Sequence, residues 1–367
     1  MATIALDATY SAEPQLNGIG VYSRRLIETL PTLETPHRFL FCYRLSRLGR
    51  RQYFLRPGSV PGARAQFSVR VYQEPLTFWL PWQAQLFHSL AQRPPAFRFR
   101  KEIVTVFDIF PLTGENYSTA DFREKFSALL LQAVGRAERV ITSSHATESL
   151  LVSHANVPPE KIRVIPLGVD PPSLVLSPDD RLRERERFLG GQGEMVLSVG
   201  VIQTRKNTLN MLKALKTLPA NFTLVLSGGG DGYGSEAVHE FIRKESLGTR
   251  VKLLGHVDDA QLARLYQSAS VFLFPSLEEG FGIPILEAMA GGVPVVTSNV
   301  SSMPEVGGDA ALYVDPRDTA DIATQVIRAV EDSALRATLV SRGLQRAGEF
   351  TWRRTAQATL AVYNEIL

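Results

Sequence analysis

Short apolar runs alternate with amphipathic segments along most of the chain. In the first half, IALDA precedes VYSRRLIETL, EIVTVFDIF precedes FREKFSALLLQAVGRA, and RVITSS precedes ATESLLVSHA. The apolar runs have the length of buried strands, whereas the amphipathic segments have helical spacing. Because alternating strands and helices form a parallel sheet with helices on both faces, this half predicts a doubly wound α/β domain.

The alternation stops in a stretch rich in proline and aspartate, residues 167–180, and restarts with MVLSVG, TLNMLKALKTL, FTLVLSGGG and EAVHEFIRKESL. We therefore predict two Rossmann-like domains, residues 1–170 and 181–351, joined by that linker. The last residues, 352–367, are predicted to form a helix that packs back on the N-terminal domain. Since ligands bind beyond the carboxyl ends of strands in open α/β sheets, the two domains are expected to face a central cleft.

Length and composition agree with this organisation. A chain of 367 residues is longer than a domain with a single hydrophobic core usually is. Hydrophobic residues make up 44% of it, but no apolar run approaches the roughly 18 residues that a membrane span requires. The N-terminal MATIALDATY lacks the pattern of a signal peptide, so we expect a cytoplasmic protein. Cys42 is the single cysteine, which excludes an internal disulfide, and the six histidines lack metal-ligand spacing. No metal and no other cofactor are predicted.

Basic residues are concentrated after His37. Between His37 and Lys101 the sequence has twelve Lys or Arg, counting Lys101, and one acid, Glu74, together with a cluster of aromatic residues at positions 78–82. Two interpretations remain open. This stretch either rests on an anionic membrane surface or forms an arginine-rich solvated face. We favour the solvated face because no continuous amphipathic helix pattern is present, and no motif indicates nucleic-acid binding.

The segment EEGFGIPILEAMAGGVPVV, residues 278–296, follows a predicted strand that ends at Pro275. Pro284 suits the first turn of a helix and Gly291 suits its end, so we predict a helix from about Ile283. Backbone amides at a helix start, aligned with the helix dipole, can hold a diphosphate. Here those amides belong to Phe281, Gly282 and Ile283.

Two carboxylates stand in this otherwise apolar segment. Glu279 precedes the predicted helix, and Glu287 lies about one turn into it, where its two oxygens can accept hydrogen bonds from the vicinal diol of a ribose. The alternative is that Glu279 caps the helix and that Glu287 is an ordinary exposed residue. Because Ile285, Leu286, Ala288 and Met289 surround Glu287, only a narrow face is left for exposure. We therefore favour a nucleotide site.

The E-x7-E pattern from Glu279 to Glu287, inside PSLEEGFGIPILEAMAGGVPVVTSNVSSMPEV, resembles the donor-binding motif of retaining GT-B glycosyltransferases of family 4. The resemblance extends to SVGVIQTRKNTLNMLKAL, VKLLGHVDDAQLARLYQSASVFLFPS, SSHATESLL, IRVIPLGVD and NGIGVYSRRL, and covers most of the chain apart from the stretch after His37. It implies a GT-B fold and transfer of a sugar from a nucleotide donor, with retention at the anomeric carbon and no essential metal.

The resemblance also implies roles for individual residues. Glu287 matches the glutamate that binds the ribose, and Glu279 matches the one that faces the donor sugar. Arg205 and Lys206 match the basic pair that neutralises the departing diphosphate, which is chemically sensible because fixed cations can replace a metal ion there. Their alternative interpretation is an exposed helix start. Further donor contacts are expected at Gly280, Phe281, Gly282, Ile283 and Val257.

The N-terminal domain contributes weaker matches. Gly18 and Gly20 match a glycine loop that approaches the donor phosphate and the acceptor, and His88 resembles a strand-end position that faces the donor. Asp108 is a candidate for orienting the acceptor hydroxyl or the sugar, with helix capping as an equal alternative. The histidine that often precedes this aspartate is replaced by Phe107.

The donor domain has a second departure and a second glycine-rich turn. Many family members have an arginine after the glycine of the first strand, where this sequence has Val201 after Gly200. We expect Arg205 to carry more of the phosphate contact as a result. The glycine-rich SGGGDGYG, residues 227–234, does not fit G-x-G-x-x-G in any register and predicts a strand-to-helix turn beside the site.

For function, the resemblance implies a hexosyltransferase. The phrase SNVSSMPEVGGDAALYVDP is similar to bacterial mannosyl- and rhamnosyltransferases of surface polysaccharide pathways, so GDP-mannose is the first donor choice and a dTDP- or UDP-sugar is the next. The expected acceptor is a glycan or a lipid-linked glycan, with peripheral contact at the inner membrane face. Two alternatives stay open: a glycosidase that uses the carboxylate pair, and a catalytically silent nucleotide-sugar-binding protein.

Overall fold

The strands and helices follow the alternation of the sequence. The computed structural model describes every residue from Met1 to Leu367 apart from the side chain of Glu115. The strands are β1 Thr3–Asp7, β2 Arg38–Arg44, β3 Phe67–Tyr72, β4 Leu86–Ser89, β5 Glu102–Val106, β6 Arg139–Thr142, β7 Ile162–Val164, β8 Glu194–Val199, β9 Phe222–Ser227, β10 Val251–Gly255, β11 Val271–Phe274, β12 Val295–Ser298 and β13 Ala311–Val314. The helices are α1 Gly18–Thr29, α2 Phe110–Thr113, α3 Ala120–Arg136, α4 His145–Ala155, α5 Pro178–Leu189, α6 Thr208–Thr217, α7 Ser235–Lys244, α8 Asp259–Ser268, α9 Ile283–Ala290, α10 Met303–Gly307, α11 Thr319–Glu331, α12 Ser333–Glu349 and α13 Trp352–Ile366.

Among the described residues the strands form two parallel sheets, one of seven strands and one of six. Their orders are β3-β2-β1-β4-β5-β6-β7 and β10-β9-β8-β11-β12-β13. Each order reverses once, between β1 and β4 in the first sheet and between β8 and β11 in the second. The two sheets confirm the predicted pair of Rossmann-like folds, and each reversal is the point where such sheets bind ligands.

The chain divides into two compact units. The first contains residues 1–113, 120–168 and 350–367, and the second contains residues 114–119 and 169–349. Residues 114–119 therefore group with the second unit, although the sequence placed them in the N-terminal domain. The reason is local: the short turn Glu115–Tyr117 contacts the turn Thr204–Lys206 of the second unit.

The predicted linker is shorter than expected because α5 begins inside it. Ser177 caps this helix by accepting a hydrogen bond from the Asp180 amide, and Pro178 occupies the first turn. The stretch just before it is also anchored. The Leu176 amide donates to the Gln267 side chain at 2.8 Å, and that side chain donates to the Leu174 carbonyl at 2.6 Å.

The C-terminal helix α13 packs within the first unit. Thr351 caps it, and Thr355 donates a hydrogen bond to the Pro166 carbonyl at 2.8 Å. Gly168 lies so close that an added Cβ would stand 2.3 Å from the Trp352 backbone nitrogen, so only glycine fits this approach. The helix buries Tyr363 completely.

Apolar side chains from the strands and their flanking helices fill each unit separately. In the second unit, Val196 on β8 and Val271 on β11 are paired in register and pack with Leu212 from α6. In the first unit, Val104 on β5 packs with Leu130 from α3. Among the described residues, no helix is both long and apolar enough to cross a membrane.

Candidate active site

The loop between β11 and α9 forms the centre of the candidate site. Helix α9 begins at Ile283 and is followed by Gly291, as the sequence predicted. Gly282 immediately precedes the helix with a φ of 101°, a left-handed conformation that glycine adopts without strain. Gly280 and Phe281 are buried beside it. This turn directs the backbone amides of the helix start toward the carboxyl end of the sheet.

Asn207 ties this loop to the basic turn Thr204–Lys206. It follows the turn with a φ of 62°, and its side-chain amide donates to the carbonyls of Pro275 at 2.9 Å and Pro316 at 2.6 Å. The Leu277 amide in turn donates to the Arg205 carbonyl at 2.9 Å. These bonds fix the basic turn against the loop, because a buried asparagine that satisfies two carbonyls cannot move without leaving them unpaired.

Two serines hold the other side of the loop. Ser301, with a φ of 58°, accepts a hydrogen bond from the Glu279 amide at 3.1 Å and donates to the Glu279 carbonyl at 2.8 Å. Ser302 lies close to the carbonyls of Glu279 and Phe281, at 3.0 and 2.8 Å. The backbone that positions Glu279 is therefore fixed by side chains about twenty residues farther along the chain.

Glu279, Arg205 and Lys206 form a buried ionic cluster. Arg205 lies 2.8 Å and Lys206 lies 2.6 Å from different oxygens of the Glu279 carboxylate. Burial alone would raise the pKa of Glu279, but the two cations more than offset it and lower that pKa from 4.5 to about 2. Glu279 is thus a permanent anion that aligns both cations. Its side chain is about nine-tenths buried.

Glu287 lies one turn into α9 and is fixed by a tyrosine. The Tyr266 hydroxyl donates a hydrogen bond to one Glu287 oxygen at 2.7 Å. Burial raises the pKa of Glu287, and the Tyr266 hydrogen bond lowers it by less. The Glu287 side chain is half-buried, and among the described residues no cation pairs with it. The alternative of an ordinary surface glutamate therefore does not hold.

The carboxyl end of β8 adds a small pocket beside the cluster, lined by Gly200, Lys206 and Phe274 among others. The Lys206 ammonium lies 4.7 Å from the centre of the Phe274 ring. A Cβ on Gly228 would stand 2.2 Å from the Gly200 carbonyl oxygen, so the glycine-rich turn 227–234 requires glycine there to approach β8. Val201 is 38% exposed at this edge and carries no charge.

Gly18 and Gly20 lie in the first turn of α1 rather than in a loop before it, and their environments differ. A Cβ on Gly18 would meet no atom within 4 Å, whereas a Cβ on Gly20 would lie 3.0 Å from the Tyr10 carbonyl oxygen and from Leu16. Asn17 caps the helix by accepting from the Gly20 amide at 2.9 Å. Packing within the chain therefore explains why position 20 is glycine. It does not explain glycine at position 18, so Gly18 stays a predicted contact of the sugar donor.

His88 does not fit the predicted role. It is fully buried on β4, and its two ring nitrogens lie 2.7 Å from the Tyr363 hydroxyl and 2.8 Å from the Thr105 hydroxyl. Burial lowers the pKa of His88 to about 3, so it stays neutral. We correct the prediction: this histidine links β4, β5 and α13, and neither of its ring nitrogens is left to contact a sugar donor.

The other predicted positions are solvent-accessible. Asp108 is half-buried between β5 and α2, and the Phe107 ring before it packs edge-on against Tyr22 with 4.9 Å between ring centres. Val257 is half-buried just before Asp258, whose side chain caps α8. Both Asp108 and Val257 stay predictions, and Tyr266, Asn207, Ser301 and Ser302 are residues that the sequence analysis did not single out.

The second unit thus presents fixed charge at the carboxyl end of a parallel sheet. Two cations, the start of α9 and a partly buried carboxylate one turn into that helix converge on the reversal between β8 and β11. Such an arrangement can bind a phosphorylated ligand that also carries hydroxyl groups. A two-unit α/β protein with this site is of the class of group-transfer enzymes.

Comparison with known proteins gives the family. Residues 16–172 match the model described as Glycosyltransferase Family 4, and residues 180–346 match the model described as Glycosyl transferases group 1. The O-antigen chain mannosyltransferase B of Escherichia coli is 32% identical over 271 residues, which span 72% of this chain and 71% of that protein. The chain belongs to the glycosyltransferases of family 4.

Two further similarities are partial or structural. The serotype-specific mannosyltransferase WbdA of Escherichia coli is 27% identical over 279 residues, 73% of this chain but only 34% of that protein. The crystal structure of HepE from Anabaena in complex with UDP and glucose matches with a TM-score of 0.77 at 18% identity, covering 100% of both chains. The structural match confirms the GT-B fold.

Proposed function

We propose that this glycosyltransferase transfers mannose from GDP-mannose, with retention, to a glycan or lipid-linked glycan on the cytoplasmic side. The observation that carries the proposal is the buried cluster of Arg205, Lys206 and Glu279 at the start of α9. A departing diphosphate gains negative charge, which these cations, together with the helix dipole, would stabilise.

The donor would be held at two places. The ribose hydroxyls would donate to Glu287, whose carboxylate Tyr266 fixes, and the diphosphate would lie against the start of α9 and the cations. Mannose is favoured because two relatives, matched over 271 and 279 residues, are named mannosyltransferases. The UDP bound to the structurally similar HepE keeps a UDP-sugar as the alternative.

The proposed reaction is a front-face transfer. The bond between the anomeric carbon and the diphosphate oxygen breaks, and the acceptor oxygen bonds to that carbon on the same face. The acceptor proton passes to the leaving diphosphate, so no enzyme nucleophile is required. Glu279 suits an electrostatic role rather than a nucleophilic one, because both of its oxygens already contact cations. Covalent glycosylation of Glu279 in a trapped intermediate would contradict this mechanism.

The first experiment is a thermal-shift titration with GDP, UDP and dTDP, with and without chelator, on the wild type and on Glu287→Ala. We expect a GDP-selective rise in melting temperature that chelator leaves unchanged and that the variant loses. A UDP- or dTDP-selective rise would replace the donor assignment. A rise that requires a divalent cation would contradict metal independence.

A second experiment separates an enzyme from a silent binding protein. Incubation with GDP-mannose and a mannose-containing acceptor should release GDP, and the anomeric configuration of the product can be read by NMR. An α-linked product from the α-linked donor would support retention, whereas inversion would refute it. Binding of GDP without turnover over a broad acceptor panel would favour the silent protein, and hydrolysis of free glycosides without a nucleotide would favour the glycosidase.

A further inference from the structure

The connection between β3 and β4 exposes a group of large apolar side chains. Leu76, Phe78, Trp79 and Trp82 are 65%, 62%, 44% and 79% exposed. We call these four residues the aromatic surface. Isolated exposed apolar residues are ordinary, but four within seven positions of one connection are a concentration that typically marks an interaction site.

The aromatic surface is held in shape from within. The Phe78 ring packs edge-on against Trp79 and Trp82, with 5.6 and 6.1 Å between ring centres. Trp79 precedes a 3-10 turn at Leu80–Gln83 that contains Trp82, and Leu80 of this turn is buried in the same core cluster as Phe87. Because residues three apart share one side of a 3-10 turn, Trp79 and Trp82 project together while Leu80 anchors the turn to the sheet.

Two exposed arginines flank a residue that shares the core cluster of Leu80. Arg98 and Arg100 are exposed on either side of Phe99, which packs in the same core cluster as Leu80. The acid of this region, Glu74, is already engaged: Arg44 lies 3.5 Å from one oxygen, and the Ala96 amide donates to the other at 2.7 Å. The positive charge of Arg98 and Arg100 is therefore available to an external anion.

We propose that the aromatic surface docks on an anionic phospholipid bilayer. Tryptophan rings favour the headgroup region, where the ring is buried and the indole N–H stays hydrated, and nearby arginines attract anionic headgroups. A neutral soluble glycan could stack on the aromatic rings but would not use the positive charge of Arg98 and Arg100, so an anionic surface is the better match. This inference extends the lipid-linked acceptor of the proposed function and names the surface that would bring the chain to it.

The test is co-sedimentation of the full chain with vesicles of phosphatidylcholine alone or mixed with phosphatidylglycerol, without donor or acceptor. We expect binding to the anionic vesicles that weakens with salt and falls at least about tenfold in Phe78→Ser/Trp79→Ser/Trp82→Ser. The control is Leu131→Ser/Leu344→Ser, which removes side chains of similar exposure from other helices and should bind like the wild type.

Tryptophan fluorescence gives an independent reading of the same surface. The chain has three tryptophans, and Trp352 is only 7% exposed, so Trp79 and Trp82 should dominate quenching by brominated lipids. Trp79→Phe/Trp82→Phe should lose that quenching while keeping aromatic bulk. Unchanged melting temperatures and GDP-induced shifts would show that the variants remain folded.

Three outcomes would overturn the proposal. The first is absence of binding to anionic vesicles at low salt, and the second is binding that the aromatic substitutions leave unchanged. The third is self-association that depends on the aromatic surface without vesicle binding, which would assign this surface to a second copy of the chain. Failure of the donor proposal is distinguishable, because Glu287→Ala should bind vesicles normally whatever happens to its nucleotide site.

Discussion

Replacing Glu279 with glutamine removes the negative charge that Arg205 and Lys206 contact. The pKa of Glu279, lowered from 4.5 to about 2, corresponds to about 3 kcal/mol of preference for the charged form in the folded state. The three side chains are at most 15% exposed, so solvent screens this contribution little. Glu279→Gln is therefore expected to lower the free energy of unfolding by about 3 kcal/mol at pH 7.

The pH dependence of this difference has a definite sign. Because the folded state lowers the pKa of Glu279, its contribution is complete above about pH 4.5 and is lost as the pH falls toward 2. About 1.4 kcal/mol should be gone by pH 3.5. Urea unfolding of the wild type and of Glu279→Gln at several pH values measures this difference. The contributions of groups that titrate equally in both proteins cancel when the two free energies of unfolding are subtracted.

A matched control is Asp309→Asn, which breaks the ion pair with Arg342 at the surface. The Asp309 side chain is 78% exposed, and such pairs typically contribute under about 1 kcal/mol. A loss for Glu279→Gln no larger than that of this control would refute the reasoning. So would a loss that stays constant down to pH 3.5.

The same substitution separates binding from catalysis. Two cations and one carboxylate give the cluster a net charge of +1, and Glu279→Gln raises it to +2. We expect GDP to bind at least as tightly as to the wild type, while turnover falls. Calorimetry and initial rates measure the two effects. If GDP affinity fell in step with turnover, Glu279 would be needed to position the cations for binding itself.

Three further predictions concern side chains around and away from the site. Tyr266→Phe removes the hydroxyl that fixes Glu287 and should weaken GDP binding about fivefold by calorimetry, with kcat nearly unchanged. Because burial raises the pKa of Glu287, GDP affinity should begin to fall at a pH higher than 4.5 when the solution is acidified. Gly20→Ala should lower the free energy of unfolding, measured in urea, by about 1–3 kcal/mol because the added methyl group has no room. Gly18→Ala should leave that free energy unchanged and reduce turnover. A larger loss of stability for Gly18→Ala than for Gly20→Ala would refute these roles. Burial lowers the pKa of His88 to about 3, so the free energy of unfolding of the wild type should fall by about 2 kcal/mol between pH 6.5 and pH 5. His88→Gln should lack this fall and should keep the wild-type KM at pH 7.5.

Most of the fold could be predicted from the alternation of apolar runs and amphipathic segments. The start of α9 was also predictable, because proline and glycine restrict the backbone whatever packs around it. Strands β2, β3 and β4 were harder, since they lie in the arginine-rich stretch where the resemblance is weakest. All four residues of β4 are buried, so this strand shows no alternation from which the direction of the His88 side chain could be inferred.

The site was predictable in its residue types but not in its contacts. Arg205 and Lys206 lie more than seventy positions from Glu279, and nothing in local spacing shows that the cations already have an anionic partner. Tyr266 looks like an ordinary residue of an amphipathic helix until the fold places its hydroxyl beside Glu287. Asn207 and Ser301 adopt positive φ values that the sequence alone does not require.

Both departures from the family pattern put an apolar residue where many members have one that can carry positive charge. Val201 stands where many members have an arginine, and Phe107 stands where many have a histidine; its ring packs against Tyr22. Neither residue can stabilise negative charge. In the second unit, Val201 carries no charge, and Arg205 and Lys206 are the cations that contact Glu279, which fixes both before any ligand arrives. Preorganised cations stabilise a developing charge without the cost of reorientation, so a chain with fewer cations depends more strongly on their being fixed in place.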